Sequence, residues 1–243
     1  MILWIVLSIV VIMTIVGIVF MNQPSFGRIP RGERLARIER SPNYRDGAFR
    51  NIHETPLMTS DKGRLQGLLD FLFKDKTGLQ PDTALTVVKT DLRQIDPGEE
   101  VLVWFGHSSY LIQVDGKRVL VDPVFCMASP VSFINKPFKG TDVYHPEDMP
   151  DIDYLVISHD HWDHLDYHTV RALKDHIGKV ICGLGVGEHF EYWGFDKERI
   201  VELDWEEEVR LDSGFIMHCL PARHFSGRGL SANKTLWASF LLE

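Results

Sequence analysis

Between Ser158 and Asp166 the chain reads SHDHWDHLD, with histidines at 159, 161 and 164 and aspartates at 160, 163 and 166. Imidazole nitrogens and carboxylate oxygens are the donors that zinc takes when cysteine is not used. In an extended segment alternate side chains point the same way. His159 and His161 therefore fall on one side, where they can share an ion. Asp163 and His164 come next as the chain turns, and are read as donors to a second position. Two ions about 3.5–4 Å apart can share a hydroxide and clamp an in-line displacement. A single histidine at a strand end means little, but three within six positions with an aspartate among them mark a metal centre.

Such donors need a rigid mount. The preceding run, DYLVIS, is apolar on both faces, as a buried central strand is. Open sheets gather their ligand loops at the ends of such strands. Upstream, VLVWF, YLIQV and RVLVD are short β-rich runs, and Asp115-Gly116 between the last two predicts a tight hairpin. Downstream, HTVRALKDHI reads as a helix, KVICGLG as the next strand, and RIVELDWEEEVRL and FIMHCLPARH as further strands. Strands followed by helices and more strands predict an α/β layer protein.

The 243 residues suit one domain with an extra arm, and the net charge of −8 argues against a nucleic-acid binder. Cys126, Cys182 and Cys219 are far apart and odd in number, which predicts free thiols rather than a disulfide framework. Residues 1–21 have no charged side chain, and only Ser8 and Thr14 have polar side chains. As a helix this run spans roughly 30 Å, the thickness of a bilayer core. It lacks the basic start and the cleavage site of a secretory signal, so we read it as a single-pass anchor. Arg28, Arg31, Arg34, Arg37, Arg40 and Arg45 follow it, which predicts a domain on the cytoplasmic side. The same arginines suit anionic lipid head groups.

Residues 22–90 form a basic arm and an amphipathic juxtamembrane segment, ahead of a domain over 91–243. In the arm, QPSFGRIPRG and SPNYRDG predict extended chain with turns. Leu65, Leu68, Leu69 and Leu72, with Phe71 and Phe73 beside them, predict a short helix. It either packs on the domain or lies in the membrane surface.

HDHWDH resembles the HxHxDH motif of the metallo-β-lactamase-fold hydrolases. Together with VWFGHSSYLIQVDGKRVLVDPVF and LPARHFSGRGLSANKTLW, it resembles more narrowly the branch containing N-acylphosphatidylethanolamine-hydrolysing phospholipase D, over roughly 56–243. The resemblance implies an αββα sandwich and two zinc ions. His159, His161 and His224 match the ligands of the first zinc, and Asp163 and His164 match ligands of the second. Asp122 in LVDP matches a position close to the metals, where a carboxylate orients a ligand imidazole; a plain turn before Pro123 is the alternative. His107 in GHSS is left between a structural and a functional role.

The family pattern also holds a bridging aspartate and a later histidine for the second zinc, with a second sheet and outer helices. None of these is found before Glu243. We therefore expect a C-terminally incomplete fold with a bare apolar sheet face, and at most one tightly bound zinc in this chain. A fragment of a longer protein, an inactive relative, and a partner chain that supplies the rest all fit this pattern.

The function so implied is a membrane-anchored zinc hydrolase acting on a phospholipid phosphodiester through a metal-bound hydroxide, with Asp163 orienting the nucleophile and serving as a ligand. A lactonase of a soluble metabolite is the enzymatic alternative, and a non-catalytic membrane-tethered binding module is the other. The expected partners are membrane lipid and a phospholipid substrate, not nucleic acid. Nothing in the sequence specifies an oligomeric state.

Overall fold

The structure, a computed structural model, describes residues 1–56, 63–73, 75, 77–212 and 214–243. It opens with α1 (Ile2–Met21), a helix with no buried residue. With a mean hydropathy of 3.0, α1 is long and apolar enough to cross a membrane; a signal sequence near an N-terminus meets the same criterion.

The arm is not wholly extended, because α2 (Gly32–Ile38) forms inside it. Glu33 in its first turn and Arg37 in its last suit the helix dipole, and Ile38 is fully buried. Long-range ion pairs fix α2 in place. Arg34 donates to Glu188 at 2.6 Å, Glu202 at 2.7 Å and Glu191 at 3.1 Å. Arg28 donates to Glu188 at 2.6 Å and Arg37 to Glu207 at 2.8 Å. Burial works against the charge on Arg34, but the Glu202 carboxylate, with Glu188 and Glu191, raises its pKa overall. Arg28, Arg34 and Arg37, read from sequence as suited to head groups, tie the arm to carboxylates of the domain.

A small hairpin, β1 (Tyr44–Arg45) and β2 (Ala48–Phe49), follows and buries Phe49. The helix α3 (Arg64–Phe73) forms where the leucine spacing predicts it. Leu65, Leu69 and Phe73 are exposed rather than packed on the domain, and the side chains of Leu68, Phe71 and Leu72 lie outside the described residues.

The main body comprises β3 (Val101–Gly106), β4 (Ser109–Val114), β5 (Lys117–Val121), β6 (Ile152–Ile157), α4 (Tyr167–Leu173), β7 (Ile177–Gly183), α5 (Gly187–Tyr192) and β8 (Ile200–Leu203). After these come β9 (Glu208–Arg210), β10 (Ile216–Leu220) and β11 (Ser239–Leu242). The six strands β3 to β8 lie side by side in sequence order. The first three are antiparallel, and β5 to β8 run parallel. The β4–β5 turn has Asp115 and Gly116 at positive φ, 46° and 71°, as a tight Asp-Gly hairpin needs.

The central strands are buried on both faces, and their two-residue period builds two cores. Leu155 and Ile157 of β6 face a core with Val170, Leu173, Phe190 and Trp193 of the helical side. Tyr154 and Val156 face another core with Met217, Cys219, Trp205 and Trp237. This second face was expected to be bare. It is covered by the three-stranded sheet of order β11-β10-β9, and by Ile38 and Phe49 of the arm. The result is a mixed α/β architecture with the SHDHWDHLD loop leaving the end of β6.

Candidate metal centre

Asp122 closes β5 and sits beside the end of the parallel neighbour β6. Its Oδ1 accepts from the Ser158 backbone N–H at 2.7 Å. Its Oδ2 accepts from the Ser158 hydroxyl at 2.6 Å and from His164 Nδ1 at 2.8 Å. A carboxylate can only accept here, so His164 carries its proton on Nδ1 and turns the Nε2 lone pair outward. The Ser158 hydroxyl, whose proton goes to Asp122, accepts from His159 Nδ1 at 2.9 Å. His159 then also presents Nε2 as a lone pair. One carboxylate and one hydroxyl thus set the tautomers of two histidines.

The Nε2 of His159 lies 2.9 Å from His161 Nδ1, which lies 3.3 Å from His224 Nε2. These three donor atoms all fall within 4.8 Å of one another. A tetrahedral zinc with bonds of about 2.0–2.1 Å puts its donors roughly 3.3 Å apart, so the set fits such an ion. Burial pushes His159 down to about 2, helped by the neighbouring His164, His161 and His224. Burial lowers His161 and His224 as well. Neutral imidazoles are the form in which histidine binds metal. His224 arrives from the loop after β10, where Asn51 of the arm brackets it: the Asn51 side chain donates to the His224 carbonyl at 2.8 Å and accepts the His224 N–H at 3.1 Å.

Beside this triad, His107, Asp163 and His164 make a second group with donor atoms within 4.8 Å of one another. All the residues proposed from sequence, Asp122 and His107 included, therefore meet at one end of the six-stranded sheet.

Sequence reasoning missed the residues that hold the loop from behind. Asp160 lies between the two motif histidines and, by strand alternation, on the opposite side. Its carboxylate accepts from Thr235 Oγ1 at 2.8 Å, the Gly227 N–H at 2.7 Å and His189 Nε2 at 3.1 Å. Burial opposes the Asp160 charge, but the His189 contact, the Arg228 guanidinium and the Gly227 N–H hold its pKa well below the carboxylate range. His189 Nδ1 accepts the Arg28 N–H at 3.0 Å. The Cβ of any other residue at Gly27 would meet that nitrogen at 2.0 Å, so the close approach requires glycine.

Arg228 is buried beneath the loop and donates to the carbonyls of Asp160 at 2.9 Å, Leu165 at 2.6 Å and Ser25 at 2.8 Å. Its guanidinium stacks over the Trp162 ring at 4.2 Å. Burial lowers its pKa to about 10 against the pull of Asp160 and Asp166. Asp166 caps α4 and accepts from the Cys126 and Met127 N–H groups at 2.8 and 3.0 Å. Alternation signalled that Asp160 points away from the metal donors. No local pattern signalled Arg228.

Trp162, inside the motif, also leads toward α1. Its ring meets Phe26 edge-on at 5.0 Å, and Phe26 meets Phe20 of α1 at 5.3 Å.

The family model described as "Beta-lactamase superfamily domain" matches residues 117–243, a little over half the chain, and the chain belongs to that superfamily. It is 40% identical over 209 residues to an uncharacterized protein of Mycobacterium tuberculosis, a match covering 83% of this chain and 55% of that protein. It is 33% identical over 151 residues to N-acyl-phosphatidylethanolamine-hydrolyzing phospholipase D 1 of Caenorhabditis elegans, covering 56% of this chain and 41% of that enzyme. The chain thus spans about half the length of these relatives. Among solved structures, CmlA, a diiron β-hydroxylase from Streptomyces venezuelae, matches with a TM-score of 0.44 and 27% identity over 61% of this chain and 28% of that one.

Proposed function

We propose that this chain builds the metal centre of a membrane-anchored, zinc-dependent hydrolase that cleaves a phospholipid phosphodiester, with N-acylphosphatidylethanolamine-like lipids as substrates. The observation that carries this reading is the junction of the donor loop with the apolar helix. Trp162 lies between the ligand candidates His161 and Asp163, and two ring contacts separate it from Phe20 of α1. With α1 in a bilayer and the domain on the cytoplasmic side, the His159–His161–His224 mouth sits near the head-group layer. The similarity to the worm phospholipase D supports the same substrate class.

His159, His161 and His224 would hold one ion, and Asp163 and His164 would contribute to a second. When bound, such ions make water nucleophilic near neutral pH and offset charge on phosphoryl oxygens. The chain's own groups do the rest. Asp122 and Ser158 keep the Nε2 lone pairs of His159 and His164 turned to the mouth. The half-buried Asp163 carboxylate would orient that nucleophile toward phosphorus while serving as a ligand. A new P–O bond would form as the P–O bond to the leaving group breaks, and the leaving oxygen would take its proton from water, giving phosphatidic acid and the freed alcohol.

The test uses protein purified in detergent from native membranes, assayed in mixed micelles. The expected result is metal-dependent release of phosphatidic acid that ends when the metal is chelated, and elemental analysis that finds zinc rather than iron. Hydrolysis of soluble lactones without phosphatidic acid would replace this reading with a lactonase. Phospholipid binding without turnover would replace it with a tethered binding module.

A further inference from the structure

We propose that His107 is a protein ligand of the second ion, so that β3–β4 turn, motif aspartate and motif histidine together form a three-donor site. This rests on the reading of the loop as a metal centre, and extends it to a residue outside the HxHxDH motif. His107 Nε2 lies 3.3 Å from His164 Nε2 and 3.2 Å from Asp163 Oδ2. Those separations match the donor spacing of about 3.3 Å in a tetrahedral zinc site. Asp122 takes the Nδ1 proton of His164, so the His164 nitrogen facing His107 is a lone pair. A single ring proton on His107 can satisfy either that lone pair or the Asp163 oxygen, whereas one cation satisfies all three groups.

The backbone points the same way. His107 has φ at 45°, in the left-handed region that a non-glycine residue seldom adopts. It stands just past β3, where Gly106 at φ 116° turns the chain and the Trp104 indole N–H donates to the His107 carbonyl at 3.0 Å. Backbone in such regions persists where the surroundings hold a group in one orientation, and ligand clamps are common examples. Here the orientation sends an otherwise exposed imidazole back over the loop. The site carries one carboxylate, which the His159 triad lacks, and it is open to solvent. We therefore expect weaker binding than at the triad, and readier acceptance of oxygen-preferring metals such as manganese.

The experiment is a cobalt titration of the full chain in detergent, following visible absorption and bound metal per chain. His107→Asn and His107→Asp are compared with the parent, because Asn and Asp both tolerate the left-handed backbone. The parent should take up two ions in two steps. His107→Asn should keep the first step and weaken the second by at least ~10-fold, since even losing an outer partner of a ligand costs that much. His107→Asp, which restores a donor, should recover part of the second step. Two unchanged steps in His107→Asn, or a single step in the parent, would overturn the assignment of His107. No cobalt bound by the parent, or binding indifferent to His159→Ala, would overturn the metal-centre reading itself.

Discussion

Two donor clusters share one strand end and differ in what surrounds them. His159 is 5% exposed, walled by Ser158, His161 and His224, whereas the His107 side chain is 60% exposed and that of Asp163 42%. In the first cluster burial removes the proton as a competitor, and three neutral nitrogens are left aimed at one point. In the second, solvent reaches His107 and Asp163 but far less of His164, and a carboxylate supplies charge instead. The first cluster also draws His224 from far along the chain, while Asp163 and His164 are adjacent in sequence. If both clusters take metal, the difference in burial predicts that the His159 cluster fills first and exchanges slowly, and that the His107 cluster exchanges readily.

The largest effect should come from His159→Ala combined with His161→Ala. Tight metal should be lost, leaving only weak binding at the exposed cluster, as measured by metal content after dialysis. If tight binding survived, the His159–His161–His224 cluster would not be the primary site.

Asp122→Asn comes next. Asp122 touches His164 directly and His159 only through Ser158. We expect a loss of ~10–100-fold in affinity, as outer partners of ligands typically give, and larger at the second site than at the first. Ser158→Ala should disturb mainly the first. Equal losses at both sites in both variants would mean that the clusters are not separately oriented.

The smallest effect concerns the thiols, which report whether the walls are as closed as the rim is open. Burial pushes the Cys219 thiol up to about 12, and raises that of Cys182 well above its ordinary value. Cys126 is raised too, chiefly by partial burial, but is exposed. A raised pKa leaves less thiolate at a given pH. In the folded chain at pH 8 only Cys126 should alkylate appreciably, and only slowly; mass spectrometry would show whether Cys182 or Cys219 reacts before unfolding.

Much of this was readable in the sequence wherever the signal was local. β4, β5 and β6 announced themselves by β-rich runs, and Asp115-Gly116 by its turn chemistry. His159, His161, Asp163 and His164 announced themselves by spacing. α5 did not: it has six residues, begins with glycine, and owes its place to Glu188 pairing with Arg28 and Arg34 of the arm. α2 was hidden in a stretch rich in Pro, Gly and Arg because its stability lies in partners more than 150 residues away. For Asp160 the alternation gave the direction but not the destination, since His189, Gly227 and Thr235 converge on it only in three dimensions. GHSS gave no spacing that would join His107 to a loop 57 residues downstream.

The Arg228 guanidinium, which holds both the Ser25 carbonyl and the back of the metal loop, has a bearing on the order of assembly. Arg228 reaches Ser25 across 203 positions, and Asn51 brackets His224 across 173. Closing loops this long adds little thermodynamic cost, because the entropy grows only as the logarithm of length. It does slow folding, since distant contacts must form before they reward the chain. On the ribosome the arm emerges early and waits while the strands β3 to β8 are made. The third histidine reaches its bracket only after residue 224 has left the tunnel, so the His159–His161–His224 triad is a late product of synthesis, while His107, Asp163 and His164 can meet some sixty residues earlier.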